Sequence, residues 1–80
     1  MLRLNARTRL SPEEAIKKAI DFFHGEQGME VKEQSPTGAY FEGSGGGVDV
    51  TACAQEKGAS VELVSREWDY QVREFARKIK

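Results

Sequence analysis

Arg3, Arg7 and Arg9 stand at odd positions near the start of the chain, and on an extended strand such positions point to the same side. Guanidinium groups aligned in this way can grip phosphates along one line. The stripe is therefore a candidate nucleic-acid contact, with Tyr40 as an aromatic ring able to stack on a base. Its simpler reading is a solvated or salt-bridged face. Tyr40 and Val64, with Thr51 and Cys53 between them, form a second candidate, a small apolar patch of the kind that marks some protein interfaces. Scattered apolar residues are the plainer account of that patch, since protein surfaces are always partly apolar.

The glycine-rich run Gly43-Ser44-Gly45-Gly46-Gly47 has the composition of an anion-binding nest. A phosphate loop, however, leads from a strand into a helix and usually carries a Lys-Ser/Thr pair. Here a strand-like segment follows, so a mobile hairpin tip is expected. Cys53 and His24 are single residues of their kinds. A nucleophile needs an adjacent base oriented by a third group, and a metal cage needs more ligands than these two supply. Glu13 and Glu14 are occupied by capping and helix pairing, and no other carboxylate has the isolated apolar setting that makes a general acid. The residues carry no catalytic, metal or cofactor constellation, and a non-enzymatic protein is expected.

The elements that position these residues follow from periodicity. Leu2, Leu4, Ala6, Thr8 and Leu10 alternate with Arg3, Asn5, Arg7 and Arg9, the period of two that marks a half-buried strand. Ser11-Pro12-Glu13-Glu14 then combines a capping hydroxyl, a proline at the first helical position and a glutamate three residues after the cap. Ala15, Ile16, Ala19, Ile20, Phe22 and Phe23 make one apolar stripe. Glu13 with Lys17 and Glu14 with Lys18 stand four apart on the opposite side. The helix is expected over Pro12 to His24, with Gly25 as its left-handed stop.

Met29 and Val31 alternate with Glu30 and Lys32 in a second strand, and Ser35-Pro36-Thr37-Gly38 reads as a tight turn. Ala39 to Ser44 is the third strand, with Phe41 assigned inward and Tyr40 outward. Val48, Val50, Ala52 and Ala54 alternate with Asp49, Thr51, Cys53 and Gln55 in the fourth. After the turn Glu56-Lys57-Gly58, Val61 and Leu63 alternate with Ser60, Glu62 and Val64 in the fifth. Trp68, Val72, Phe75, Ala76 and Ile79 fall at helical steps, with Glu67 and Asp69 at the start and Arg77, Lys78 and Lys80 at the end, as the helix dipole favours. Two amphipathic helices and five strands, four of them with one apolar face, predict a two-layer α+β fold. Both helices cover one side of an antiparallel sheet, and the other side faces water.

The 80 residues leave room for one hydrophobic core and one domain, 1–80. A chain of this length buries only about 60% of its unfolded surface. With one cysteine no intramolecular disulfide is available, so packing alone must hold the fold. Twelve basic and thirteen acidic residues give a net charge of −1, which supplies no global attraction for nucleic acid or an acidic membrane. No stretch approaches the roughly 20 apolar residues of a membrane span, and MLRLNARTRL lacks the apolar run of a signal peptide. A soluble, cytoplasmic protein is the expectation.

The order strand, helix, four strands, helix, with its long amphipathic last helix, resembles one repeat of the TATA-box-binding protein. Enlarged, it is similar to the helix-grip fold of the START and pathogenesis-related plant proteins. The likeness covers all 80 residues as topology. It implies a first strand paired with the fifth, which would bring Glu62 and Asp49 within cross-strand reach of the arginines. The DNA-binding saddle in that family is an apolar, wedge-bearing surface made by two repeats. The single unit here carries Arg7, Glu30, Glu42, Asp49 and Glu62 at outer positions. The helix-grip likeness implies a carrier with a ligand between helices and sheet, a space this short chain is expected to fill with its own side chains.

Together these features predict a small binding or interaction module, acting on a protein partner or a second copy of itself through its open sheet face or an edge strand. Arg3, Arg7, Arg9, Tyr40, Thr51 and Val64 make up the candidate surface. Nucleic-acid binding through the arginine stripe and a helix-grip small-molecule carrier are the alternatives. No cofactor and no membrane partner are expected.

Overall fold

A computed structural model describes residues Met1–Lys80. Its elements run in the expected order: β1 (Leu2–Thr8), α1 (Pro12–Ala19) prolonged by a π-helical stretch (Ile20–Glu26), β2 (Glu30–Ser35), β3 (Gly38–Gly43), β4 (Gly46–Gln55), β5 (Gly58–Arg66) and α2 (Asp69–Ile79). The five strands form one antiparallel sheet in the order β1-β5-β4-β3-β2. The chain is α+β in the order β-α-β-β-β-β-α, as the periodicities predict. No helix is long and apolar enough to cross a membrane.

Alternation in the strands sorts the sheet into two faces. Ala39 and Phe41 of β3, Val48, Val50 and Ala52 of β4, and Ala59, Val61 and Leu63 of β5 are all buried. Their neighbours Tyr40, Asp49, Thr51, Glu62 and Val64 lie on the opposite side and are exposed or half-buried. Both helices pack on the buried side, α1 over β4, β5 and β3, and α2 over β1 and β5. Phe41 is thus inward and Tyr40 outward. Ala54, expected inward, is exposed near the end of β4, although its partner Ala59 is buried.

The first helix starts as its sequence dictates. Ser11 Oγ accepts the Glu14 N–H at 3.2 Å, Glu14 Oε1 accepts the Ser11 N–H at 3.0 Å, and Pro12 occupies the first turn. Its far end corrects the expected stop. The chain widens into the π-helical stretch from Ile20, passes Gly25 without a break and closes at Gly28, whose φ is 75°. The pair Phe22-Phe23 lies in this stretch. An α-turn sets neighbours about 100° apart, whereas both rings here are buried, Phe22 against Phe75 at 5.7 Å and Phe23 against Phe41 at 5.3 Å. A wider turn lets both rings reach the core. His24 Nδ1 lies 2.7 Å from the Met29 carbonyl, and since that oxygen only accepts, Nδ1 carries the donated proton.

The glycine run is the second correction. Only Ser44 and Gly45 form the turn, both at positive φ (45° and 78°), the left-handed pair that suits a two-residue hairpin. Gly46 and Gly47 are buried in β4. A Cβ on Gly46 would stand 2.1 Å from the Arg66 carbonyl oxygen, so only glycine lets β4 pass this close to the end of β5.

The corner from β5 into α2 is held by two hydrogen bonds. Ser65, fully buried, accepts the Trp68 N–H on its hydroxyl at 3.1 Å, and Trp68 Nε1 donates to the Gly43 carbonyl at 2.9 Å. Between them Glu67 adopts φ 69°, a left-handed conformation that strains a residue with a side chain. Trp68 therefore caps α2 rather than lying within it, while Val72, Phe75, Ala76 and Ile79 supply the buried stripe.

Candidate functional site

The face turned away from the helices is a grid of polar side chains set by the pairing register. One row reads Arg3, Val64, Asp49, Tyr40 and Glu33 across β1, β5, β4, β3 and β2. The next reads Asn5, Glu62, Thr51 and Gly38, and a third Arg7, Ser60 and Cys53. Asp49 separates Tyr40 from Val64, and Thr51 lies between Gly38 and Glu62. The four residues expected to make an apolar patch are thus interleaved with charge and make no continuous one.

The arginines divide. Arg3 Nη1 pairs diagonally with Glu62 Oε2 at 3.3 Å, as pairing of β1 with β5 implies. Asp49, two strands from β1, reaches none of them. Arg7 stands opposite Ser60 on the strand, whereas β1 has ended before Arg9. Neither Arg7 nor Arg9 takes part in an ion pair. Both line a hollow of about 490 Å³ with Lys57, Lys80 and one carboxylate, Glu56.

A hydrogen-bonded chain that includes Arg66 occupies the other end of the face. Arg66 Nη2 donates to the Tyr40 hydroxyl at 3.1 Å, which donates to Glu42 Oε2 at 3.2 Å. Gly47 pairs with both Arg66 and Glu42, and a Cβ there would stand 2.6 Å from the Tyr40 oxygen. The missing side chain of Gly47 is the seat of the Tyr40 hydroxyl. Arg66 was absent from the expected surface, although its position after the inward Ser65 marks it as outward. Tyr40 is therefore engaged at its polar tip.

The β2 edge is acidic and irregular. Glu30 lies opposite Glu42, and a bulge between Val31 and Glu33 displaces Lys32. Lys32 Nζ then sits 2.6 Å from Glu30 and 4.0 Å from Glu42, relieving a like-charge pair. Its hydrogen bond to Glu30 and the attraction of that carboxylate hold the ammonium pKa above its ordinary value and that of Glu30 below.

Cys53 is exposed on the open face, while His24 is bound to Met29 at the end of the π-helical stretch, so no element brings them together. The space between helices and sheet is filled: Ile16, Phe23, Val72 and Phe75 are buried, and Ile20 and Trp68 pack against that core. Outside it, a groove of about 960 Å³ runs between the helices, where Lys78 lies 5.0 Å from the Phe22 ring centre and 3.5 Å from Glu26. The expected pairs Glu13 with Lys17 and Glu14 with Lys18 do not close. Glu14 bonds Ser11 instead, and that bond, aided by both lysines, holds its carboxyl below the ordinary carboxylate range.

No protein-family model, no curated protein and no solved structure matches this chain.

Proposed function

We propose that this chain is a non-enzymatic, cytoplasmic binding module that holds a protein partner on its open sheet face and its β1 edge. The observation that carries the reading is that Arg7 and Arg9 are unpaired at and just beyond an edge strand, while the hydrophobic core lies on the other side of the sheet. A cation that serves neither packing nor an ion pair is free to meet a ligand. The resemblance to the TATA-box-binding protein and the helix-grip proteins rests on the order of elements alone. Such likeness of topology lends no partner.

Nucleic acid is the weaker ligand, because Glu30, Glu33, Glu42, Asp49 and Glu62 share the face with the arginines and would repel a phosphate backbone. A carrier of the helix-grip type needs an enclosed cavity, and the filled helix-sheet interface speaks against one. Binders selected from an unbiased peptide library, mapped by amide chemical shifts on the labelled protein, test the proposal. Shifts on β1 and the outward residues of β5 and β4 are expected. Shifts confined to the two helices would overturn it. Light scattering at high concentration separates a second copy from a different chain as the partner.

A further inference from the structure

The two edges of the sheet are not alike. β2 carries the bulge at Lys32, is followed by Pro36 and presents Lys32 itself, all devices that stop another strand from adding. β1 has none of them. Its seven residues pair with β5 without interruption from Leu2 to Thr8, and it contains no proline, no lysine and no inward charge. In an antiparallel ladder the edge away from β5 leaves alternate N–H and C=O groups unpaired. From this contrast, resting on the binding-module reading, we infer that β1 takes an added strand from a partner protein. That segment is extended, with acidic residues alternating with apolar ones.

Charge and burial select that pattern. Arg3 and Arg7 lie on the open side of β1, so residues beside them on an added strand find cations directly opposite or diagonal. The hollow lined by Arg7, Arg9, Lys57 and Lys80 prolongs the positive field past the strand's end. On the helix side Leu2 and Leu4 are only half-buried against the core and offer apolar contact to the alternate residues. A second copy fits less well. The antiparallel register that pairs all of β1 with itself is centred on Asn5 and sets Arg3 against Arg7 of the other copy. Backbone bonds supply affinity in such additions, and alternate side chains supply specificity.

The probe is a capped peptide of about eight alternating valines and glutamates, titrated by fluorescence anisotropy at neutral pH. Its counterpart with lysines in place of glutamates is the control. The glutamate peptide is expected to bind and the lysine peptide not. N-methylation of the alternate residues whose N–H groups face β1 should weaken binding by about tenfold or more, and methylation of the other set should leave it unchanged. Arg7→Glu, which keeps the Arg3–Glu62 pair, should abolish preference for the glutamate peptide while circular dichroism stays that of the parent. Equal tolerance of both methylation sets would mean attraction by charge alone and would overturn strand addition, as would no binding at low salt. In either case library-selected binders that shift Thr51 and Val64 but not β1 would leave the wider module reading standing. Binders that shift only the helices would remove both.

Discussion

The covered and open faces of the sheet are made by the same strands, one residue out of step. Val50 and Leu63 are fully buried, whereas Thr51 and Val64, their chain neighbours, belong to a surface of charges and hydroxyls. The covered face gathers all four phenylalanines into one cluster, with Phe75 5.3 Å from Phe23 and 5.7 Å from Phe22. The open face holds itself by surface bonds such as Arg3–Glu62, which contribute little to stability. A one-residue slip of register would exchange the two faces entirely. The difference places the hydrophobic core on one side of the sheet and leaves the other outside it.

The contrast breaks most readily at the covered face. Phe75→Ala should cost about 3 to 5 kcal/mol, comparable to the stability expected of so small a domain. The variant is expected to be largely unfolded at about 37 °C in thermal melts followed by circular dichroism. A melt within a few degrees of the parent would mean that α2 is not docked on the sheet. Trp68→Phe keeps a ring but removes the indole donor to the Gly43 carbonyl, and denaturant titration should show a loss of about 1 kcal/mol. An unchanged midpoint would show that the indole bond does not hold the corner.

At the same corner Glu67→Gly should raise stability by about 1 kcal/mol, since glycine adopts the left-handed conformation without strain. A drop in its urea midpoint would place the value of Glu67 in its side chain. Glu14 gives a smaller, pH-dependent effect. Its folded pKa is depressed by the bond to Ser11, so its stabilisation is present above the ordinary value near 4.5 and is lost as pH falls through the lowered one. Glu14→Gln keeps the capping geometry without the charge, so its melting temperature should fall less than the parent's on acidification. Parallel pH curves would remove the charge from the account. Arg7→Ala is the smallest change, within about 0.5 kcal/mol, and a larger loss of stability in urea would make Arg7 part of the fold.

Much of this division was legible beforehand. The alternation of Val48, Val50 and Ala52 with Asp49, Thr51 and Cys53 gave both faces of β4, and Ser11 with Glu14 gave the start of α1. The π-helical widening was not, because a stripe at helical period accommodates Phe22 and Phe23 without revealing that Phe41 and Phe75 each claim one of them. Composition likewise made Gly46 and Gly47 look mobile, when the Arg66 carbonyl beside Gly46 and the Tyr40 hydroxyl beside Gly47 are what demand glycine. Of the candidate surface, Arg3 and Arg7 were placed by period alone, but Arg9 required the end of β1. The tether on Tyr40 depended on a gap at Gly47 that only the pairing register exposes. Local pattern determines which way a side chain faces, while the register of distant strands determines what it meets.

A saturation scan scored for folding, by protease resistance of each displayed variant, tests the division of the two faces most directly. Charge reversals and alanine substitutions at Arg3, Arg7, Thr51 and Val64 should leave resistance near that of the parent, while polar substitutions at Val50, Leu63, Val72 and Phe75 should abolish it. Comparable intolerance on both faces would contradict the account, because the open face would then be required by the fold and not free for a partner.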